Sequence, residues 1–542
     1  MKLKYFIIIM PVILVSLISA QPLRWVRIID GPGPTSESIM DAVMDNALNV
    51  YVTGLYSNVS SDDIRTVKYA GNGNVVWDKI YDAGGADGGV SICLDNEGYV
   101  YVAGWKWTGI HQLLVILKYN GLNGELQWSS SILMLDPYQN DICCRIAVDD
   151  VNGCGYVATQ VNNFGDYDGY LCQFNIYDGS INWGYPYTYV PGSRDSWRDI
   201  VIGSNGYVYV TGYADDWYHH TITAKYNLDG VREEVADYFF DSGGSGIDRD
   251  NNGYLYVICA GVYGGGYKQP TVLKYDENLN LIWRYILPDR GRPKDIVVHR
   301  TTGTSYVAGC VERLEGGNWY TNALTFAVNT SGSLIWNRIY GNPYLDEICE
   351  EVAITNNCVY ASGYAEPTNT NCDILTLCYT RSNGAFRWAG LYDYNGGDDE
   401  SYAISVKTGF TATNAYIVSA GKTHSPLAMI TLMYSYNELV SDTLSGPQGG
   451  ESPIPQSFYL KEIYPNPTNG ELRIRFNTQY PQKVGIRLYD ATGRLIAVIF
   501  DGEVQPGLNE VSYLPGDIAN GIYFVQIITD GYLKTEKIIY KK

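Results

Sequence analysis

The sequence predicts an all-β protein: a closed array of repeated four-stranded units, then a short linker and a small β-sandwich. Three observations carry this. Hydrophobic residues make up 46% of the 542 residues, enough to exclude general disorder, while charged residues are only 18% and Tyr (49) and Gly (58) are abundant. That mix suits strands and tight turns better than long charged helices. A short strand mark recurs about every 50 residues, and a Gly-, Pro- and Ser-rich stretch at 441–457 sets off the last 85 residues.

The chain opens with Lys2 and Lys4, an apolar run from Tyr5 to about Ile18, then Ser19 and Ala20 before Gln21. This is the charged, apolar and small-residue order of a secretory signal, so residues 1–20 are expected to be removed. As a membrane anchor the run is short of a ~20-residue span, and Pro11 interrupts it. No later stretch is long and apolar enough to form a transmembrane segment, and the mature chain is expected outside the cytoplasm. With 38 Lys plus Arg against 58 Asp plus Glu, the net charge of −20 argues against nucleic acid as a partner.

Between 21 and about 440 the mark reads YVTG at 51, YVAG at 101, YVAT at 156, YVTG at 209, YVICAG at 256, YVAG at 306, YASG at 360 and YIVSAG at 416. A second strand follows each, ending near Tyr69, Tyr119, Phe174, Tyr226, Tyr275, Val328, Tyr379 or Tyr434. A third follows with Trp77, Trp128, Trp183, Trp283, Trp336 or Trp388, and an apolar strand such as 90–95 or 199–204 precedes each mark. Four antiparallel strands in ~50 residues make the blade of a β-propeller. The opening segment RWVRIIDG (24–31) looks like the outer strand WNRIYGN (336–342) without its three predecessors, and the last unit lacks an outer strand after Tyr434. If the first segment completes the last unit, eight blades close with no free edge; seven blades is the alternative. These YVTG units resemble the beta-propeller repeat family of bacterial surface proteins. The resemblance spans about 420 residues and, its motif being structural, implies no activity.

Residues 458–542 carry short alternating strands (ELRIRF, KVGIRLYD, RLIAVIF, NEVSYL, GIYFVQIIT, KTEKIIY) separated by Gly-containing turns, the pattern of a small immunoglobulin-like β-sandwich. The segments YPNPTNG (464–470), LYDATGRLI (488–496) and GIYFVQI (521–527) before a Lys-ended terminus resemble the C-terminal sorting domain of the type IX secretion system. That resemblance implies contact of residues 458–542 with the type IX machinery and delivery to the cell surface or medium. Charge divides the same way: residues 458–542 hold 10 basic and 9 acidic residues, net +1, against 26 and 49 in residues 21–457, net −23.

No HExxH, GxSxG or paired metal-ligand spacing occurs, and the five His residues (111, 219, 220, 299, 424) are scattered, so an enzyme is not the leading expectation. His219 and His220 beside Asp215 and Asp216 read as a polar loop rather than a metal site. Asp248, Asp250 and Asn252 start like a calcium loop, but Tyr256 and Cys259 stand where later ligands belong; a hairpin turn fits better, with calcium as the weaker alternative and no other cofactor expected. Of the 11 Cys, Cys143 and Cys154 share repeat positions with Cys349 and Cys358 and are expected as buried small residues rather than disulfides.

Seven of 12 Trp (25, 77, 128, 183, 283, 336, 388) occupy the outer strand, where packing explains them. The other five are Trp105, Trp107, Trp197, Trp217 and Trp319. Four are expected in loops between second and third strands and Trp197 just before a first strand, which puts all five on one face of an up-and-down array. They suit stacking on a sugar ring or anchoring a peptide; the alternative is packing on neighbouring loops. On that face an acid recurs before the first strand: Glu37, Asp87, Asp141, Asp195, Glu347 and Asp399. Either these ring the channel mouth and bind a cation or cationic group, or each accepts backbone N–H bonds from an adjoining loop. The expected role is therefore non-enzymatic recognition of an extracellular glycan or protein, with a polysaccharide hydrolase or lyase, or a structural envelope protein, as alternatives.

Overall fold

A computed structural model describes residues 23–541 except 32–36, 59–60, 135–143, 164–165, 216–218, 240–242, 264–266, 342–343, 369–370, 409–413, 425–426, 439–457, 469, 479–481, 491–493, 506, 517 and 529–532. The signal segment, the linker, Asp141, Cys143 and Trp217 thus lie outside the described residues. Within them every regular element is a strand.

The repeat pattern becomes a succession of four-stranded antiparallel sheets, each a simple meander. Their inner strands are Ser38–Met44, Asp87–Leu94, Arg145–Asp149, Arg194–Ile202, Gly244–Arg249, Gly291–His299, Glu347–Ile354 and Asp399–Thr408. Each inner strand touches the next, and the last touches the first, so the sheets close around a central axis. In the closing sheet the outer strand is N-terminal: Leu23–Ile29 pairs antiparallel with Leu427–Asn437, from Leu23 opposite Tyr434 to Ile29 opposite Met429. A lone parallel pair, Tyr167 with Arg194, joins the third sheet to the fourth. Second and third strands, buried on both faces, read as continuous apolar runs such as Leu114–Leu117 and Val100–Ala103.

The outer Trp explains how neighbouring sheets stay in register. Trp25, Trp77, Trp128, Trp183, Trp283 and Trp336 each donate the indole N–H to a carbonyl in the following sheet (Gly71, Gly121, Ile176, Leu228, Thr330 and Arg381) over 2.9–3.3 Å. The turn that receives each ring carries a glycine at positive φ, such as Gly73, Gly332 and Gly384. At Gly384 an added Cβ would lie 2.5 Å from Trp336, so both the conformation and the close approach require glycine. Lysines of the third strands reinforce the contact: Lys68 Nζ reaches Gly121 O at 2.6 Å and Lys118 Nζ reaches Ile176 O at 2.8 Å, each above a Tyr ring of its own sheet.

Residues 458–540 form a separate pair of sheets. One is Phe458–Tyr464, Leu472–Thr478 and Gly507–Tyr513; the other runs Leu495–Val504, Gln482–Asp490, Gly521–Ile528 and Leu533–Tyr540. Alternating residues, Leu472, Ile474 and Phe476 on one and Val484, Ile486 and Leu488 on the other, meet in a single core.

Candidate functional site

Seven of the eight inner strands bear a one-residue irregularity near their middle, for example between Trp197 and Asp199, Pro293 and Asp295, and Cys349 and Glu351. Such a bulge reverses the side-chain alternation. Residues two apart that a regular strand would keep on one face are thereby split between the preceding and the following sheet. Asp195 and Trp197 therefore turn back, and Asp199 turns forward.

This corrects the expectation for Trp197. It lies inside the strand, only 1% exposed, with its ring 4.8 Å from that of Tyr187 in the preceding sheet, so it offers no stacking face. Trp105 and Trp107 lie in the strand Val100–Trp107 rather than in a loop, and both are half-buried, Trp105 leaning on Gly88. Trp319, in the strand Asn318–Val328, is 52% exposed. For the acids, the hydrogen bonds fit the second of the two readings, backbone N–H acceptance from an adjoining loop: Glu37, Asp87, Asp195, Glu347 and Asp399 are buried at the seams between sheets. Asp87 accepts the Ala83 N–H (2.7 Å), Asp195 the Tyr189 N–H (2.6 Å), and Asp399 the Tyr394 N–H. Burial pushes Asp87 and Asp195 up to about 6, and Glu37 and Asp399 to about 7. Asp250 closes a hairpin turn, accepting the N–H groups of Asn252 (2.8 Å) and Tyr254 (3.1 Å), while Asp248 accepts the Val298 N–H (2.7 Å) and pairs with Arg300 at 2.6 Å. The ten described Cys residues are unbridged, with Cys154, Cys349 and Cys358 buried in the sheets.

Past the bulge lies a set of groups that sequence reasoning missed. Asp41, Asp199, Asp295 and Glu351 each accept a backbone N–H of the next inner strand, from Ile92, Ile247, Val352 and Ile404, at 2.8–2.9 Å. Arg145 points among them, with its Nη2 3.7 Å from Glu351 Oε1. Burial raises all four carboxyl groups, Asp199 to about 6 and Asp295 to about 7. Burial also works against the Arg145 charge, but the four acids outweigh it and keep the guanidinium protonated. The signal available was the residue directly after the bulge in each inner strand, with Arg145 in the strand without one: it reads Asp41, Ser91, Arg145, Asp199, Gly246, Asp295, Glu351 and Ala403 around the array.

The exposed Trp319 stands in a cleft of about 540 Å³ lined by residues of the sixth, seventh and closing sheets. The Arg290 guanidinium lies 4.0 Å over its ring and is held by Glu312, which also binds Arg292 at 3.2 Å. Asp346 crosses from the next sheet to accept the Thr321 N–H (2.6 Å) and hydroxyl (2.8 Å). Glu366, raised by burial and by Asp346 nearby, and Glu400 complete an acidic wall. The cleft thus pairs one exposed aromatic ring with fixed donors and acceptors.

Comparisons with known proteins add the following. No curated protein matches the chain. Its structure is similar to that of quinohemoprotein alcohol dehydrogenase ADHIIG from Pseudomonas putida HK5, with 11% identity and a TM-score of 0.49 over 83% of this chain and 79% of that one. Sqt1 from Chaetomium thermophilum gives 9% identity and 0.48 over 77% and 100%, and polysaccharide lyase Uly1 gives 9% and 0.40 over 64% and 89%. These likenesses are too distant to bear on activity. No helix among the described residues is long and apolar enough to cross a membrane. Residues 462–541 match the secretion system C-terminal sorting domain, a type IX tail, which marks a protein secreted or anchored on the outer cell surface.

Proposed function

We propose that this is a non-enzymatic recognition protein of the cell exterior, in which an eight-bladed propeller is followed by an immunoglobulin-like sandwich that serves export, and in which the Trp319 cleft binds a glycan. The closed succession of inner strands supports the blade count, and the two facing sheets of residues 458–540 support the sandwich. The observation that carries the binding role is the Trp319 ring, 52% exposed on a face where Trp105 and Trp107 are half-buried and Trp197 is buried. An indole backed by a guanidinium and flanked by carboxylates suits a sugar, whose apolar face stacks while its hydroxyls meet the acids. The test is retention of the mature chain on immobilised polysaccharides. Changing Trp319 to Ala should weaken retention several-fold, the usual effect of removing one anchor at ~1 kcal/mol or more, with an unchanged melting temperature. Undiminished retention by this variant would remove the cleft from the account.

A further inference from the structure

We propose that Asp63, Asp82 and Asp87 form a divalent-cation site of the calcium type that clips the first sheet to the second. Asp63 belongs to the third strand of the first sheet, Asp82 follows that sheet's outer strand, and Asp87 opens the inner strand of the second. One carboxylate oxygen from each lies within 4.8 Å of the other two. Asp63 and Asp87 have no exposed surface, whereas Asp82 is exposed and gives the cluster a side open to solvent.

The hydrogen bonds leave the cluster unbalanced. Asp63 accepts from Asn58 Nδ2 (2.8 Å) and Ser61 Oγ (3.3 Å), and Asp82 Oδ1 accepts the Gly84 N–H (2.7 Å). Asp87 uses Oδ2 for the Ala83 N–H, and its fully buried Oδ1 has no hydrogen-bond partner. Such an oxygen beside two further carboxylates calls for a proton or a cation. The nearby Arg65 is committed to Asp78 through two bonds of 2.9 and 2.6 Å.

Two other seams put a neutral donor in one of these places, although at the third Asp195 Oδ1 still lacks a partner. Thr188, in the place of Asp82, donates to Asp168 Oδ1 at 2.6 Å, and Asn322, in the place of Asp63, donates its amide to Glu347 Oε2 at 2.9 Å. All three places carry carboxylates at the first seam, as they do with Asp373, Asp393 and Asp399 between the seventh and closing sheets, and at the first seam one oxygen of each converges within 4.8 Å. Three hard oxygen ligands with room for water match calcium rather than a thiolate- or imidazole-seeking metal, and millimolar-range sites of this kind serve extracellular modules.

The experiment titrates the mature full chain with Tb³⁺ and then CaCl₂. Indole-sensitised Tb³⁺ emission should appear, since Trp107 adjoins the loop, its main-chain N–H donating to Ala86 O (2.8 Å), and calcium should displace it. Calcium should also raise the melting temperature by several degrees over EDTA. The double variant Asp63→Asn/Asp87→Asn should lose at least tenfold in affinity for both ions along with the calcium-induced melting shift. Asp82→Asn, at an exposed position that leaves folding intact, should weaken both ions in the same direction. No calcium-dependent shift in the wild type, or unchanged ion affinity in the double variant and in Asp82→Asn, would overturn the assignment.

Discussion

The two ends of each seam between sheets do the same job by different chemistry. At the rim a neutral indole N–H meets the next sheet's carbonyl, as Trp77 meets Gly121 at 3.1 Å. At the axis a buried carboxylate meets the next sheet's N–H, as Asp295 meets Val352 at 2.9 Å. The rim bond adds ring burial and is indifferent to pH. The axial bond places like charges near one another, offset by Arg145 alone among them, and so depends on protonation. Strength sits at the rim, and sensitivity sits at the axis.

The largest effect should come from opening the array. Removing Leu23–Ile29 leaves Leu427–Asn437 as a bare edge and takes Trp25 from its seam, so the variant should associate and melt far below wild type by light scattering and calorimetry. An equal deletion within 441–457 should be almost neutral. Similar melting of both would mean that the first strand adds little to closure.

Next come single sites at the two ends. Trp77→Ala should cost about 3–5 kcal/mol, the usual range for emptying a buried aromatic site, equally at pH 5 and pH 8. Arg145→Met should cost a comparable amount at pH 8, where it strands four buried acids, and much less at pH 5. Equal losses at both pH values for Arg145→Met would erase the distinction between axis and rim.

A smaller effect concerns pH alone. The folded-state values of Asp199 (about 6) and Asp295 (about 7) lie above the ordinary carboxylate value of 3.8. Between those limits the native state binds more protons than the unfolded chain, so stability should fall as pH rises from about 4 through 7. Asp295→Asn keeps an acceptor for Val352 and should flatten that slope in urea melts at stepped pH. A slope of opposite sign would mean that these carboxylates are stabilised as anions.

The rim was legible in the sequence and the axis was not. A Trp every ~50 residues preceded by a glycine turn, as Gly73 precedes Trp77 and Gly332 precedes Trp336, reports strand order, and the orphan segment holding Trp25 reports how the last sheet ends. Trp197 could not be distinguished from Trp319 by position, because its burial depends on the bulge at Arg198, and a one-residue slip is invisible to a period-2 pattern. For the same reason the sequence pattern does not reveal that Asp195 and Asp199 face opposite sheets. The grouping of Asp63 with Asp87 joins residues on different sheets, and Arg145 meets Glu351 from a sheet four units away; neither follows from spacing.

The most direct test of the recognition role is to incubate the mature chain with each retained polysaccharide and follow bound protein and chain length in the same sample. The account predicts saturable retention with polymer length unchanged over hours. Shortening of the polymer in step with wild-type protein, and its loss in the Glu366→Gln variant, would contradict it and make the Trp319 cleft the site of an enzyme.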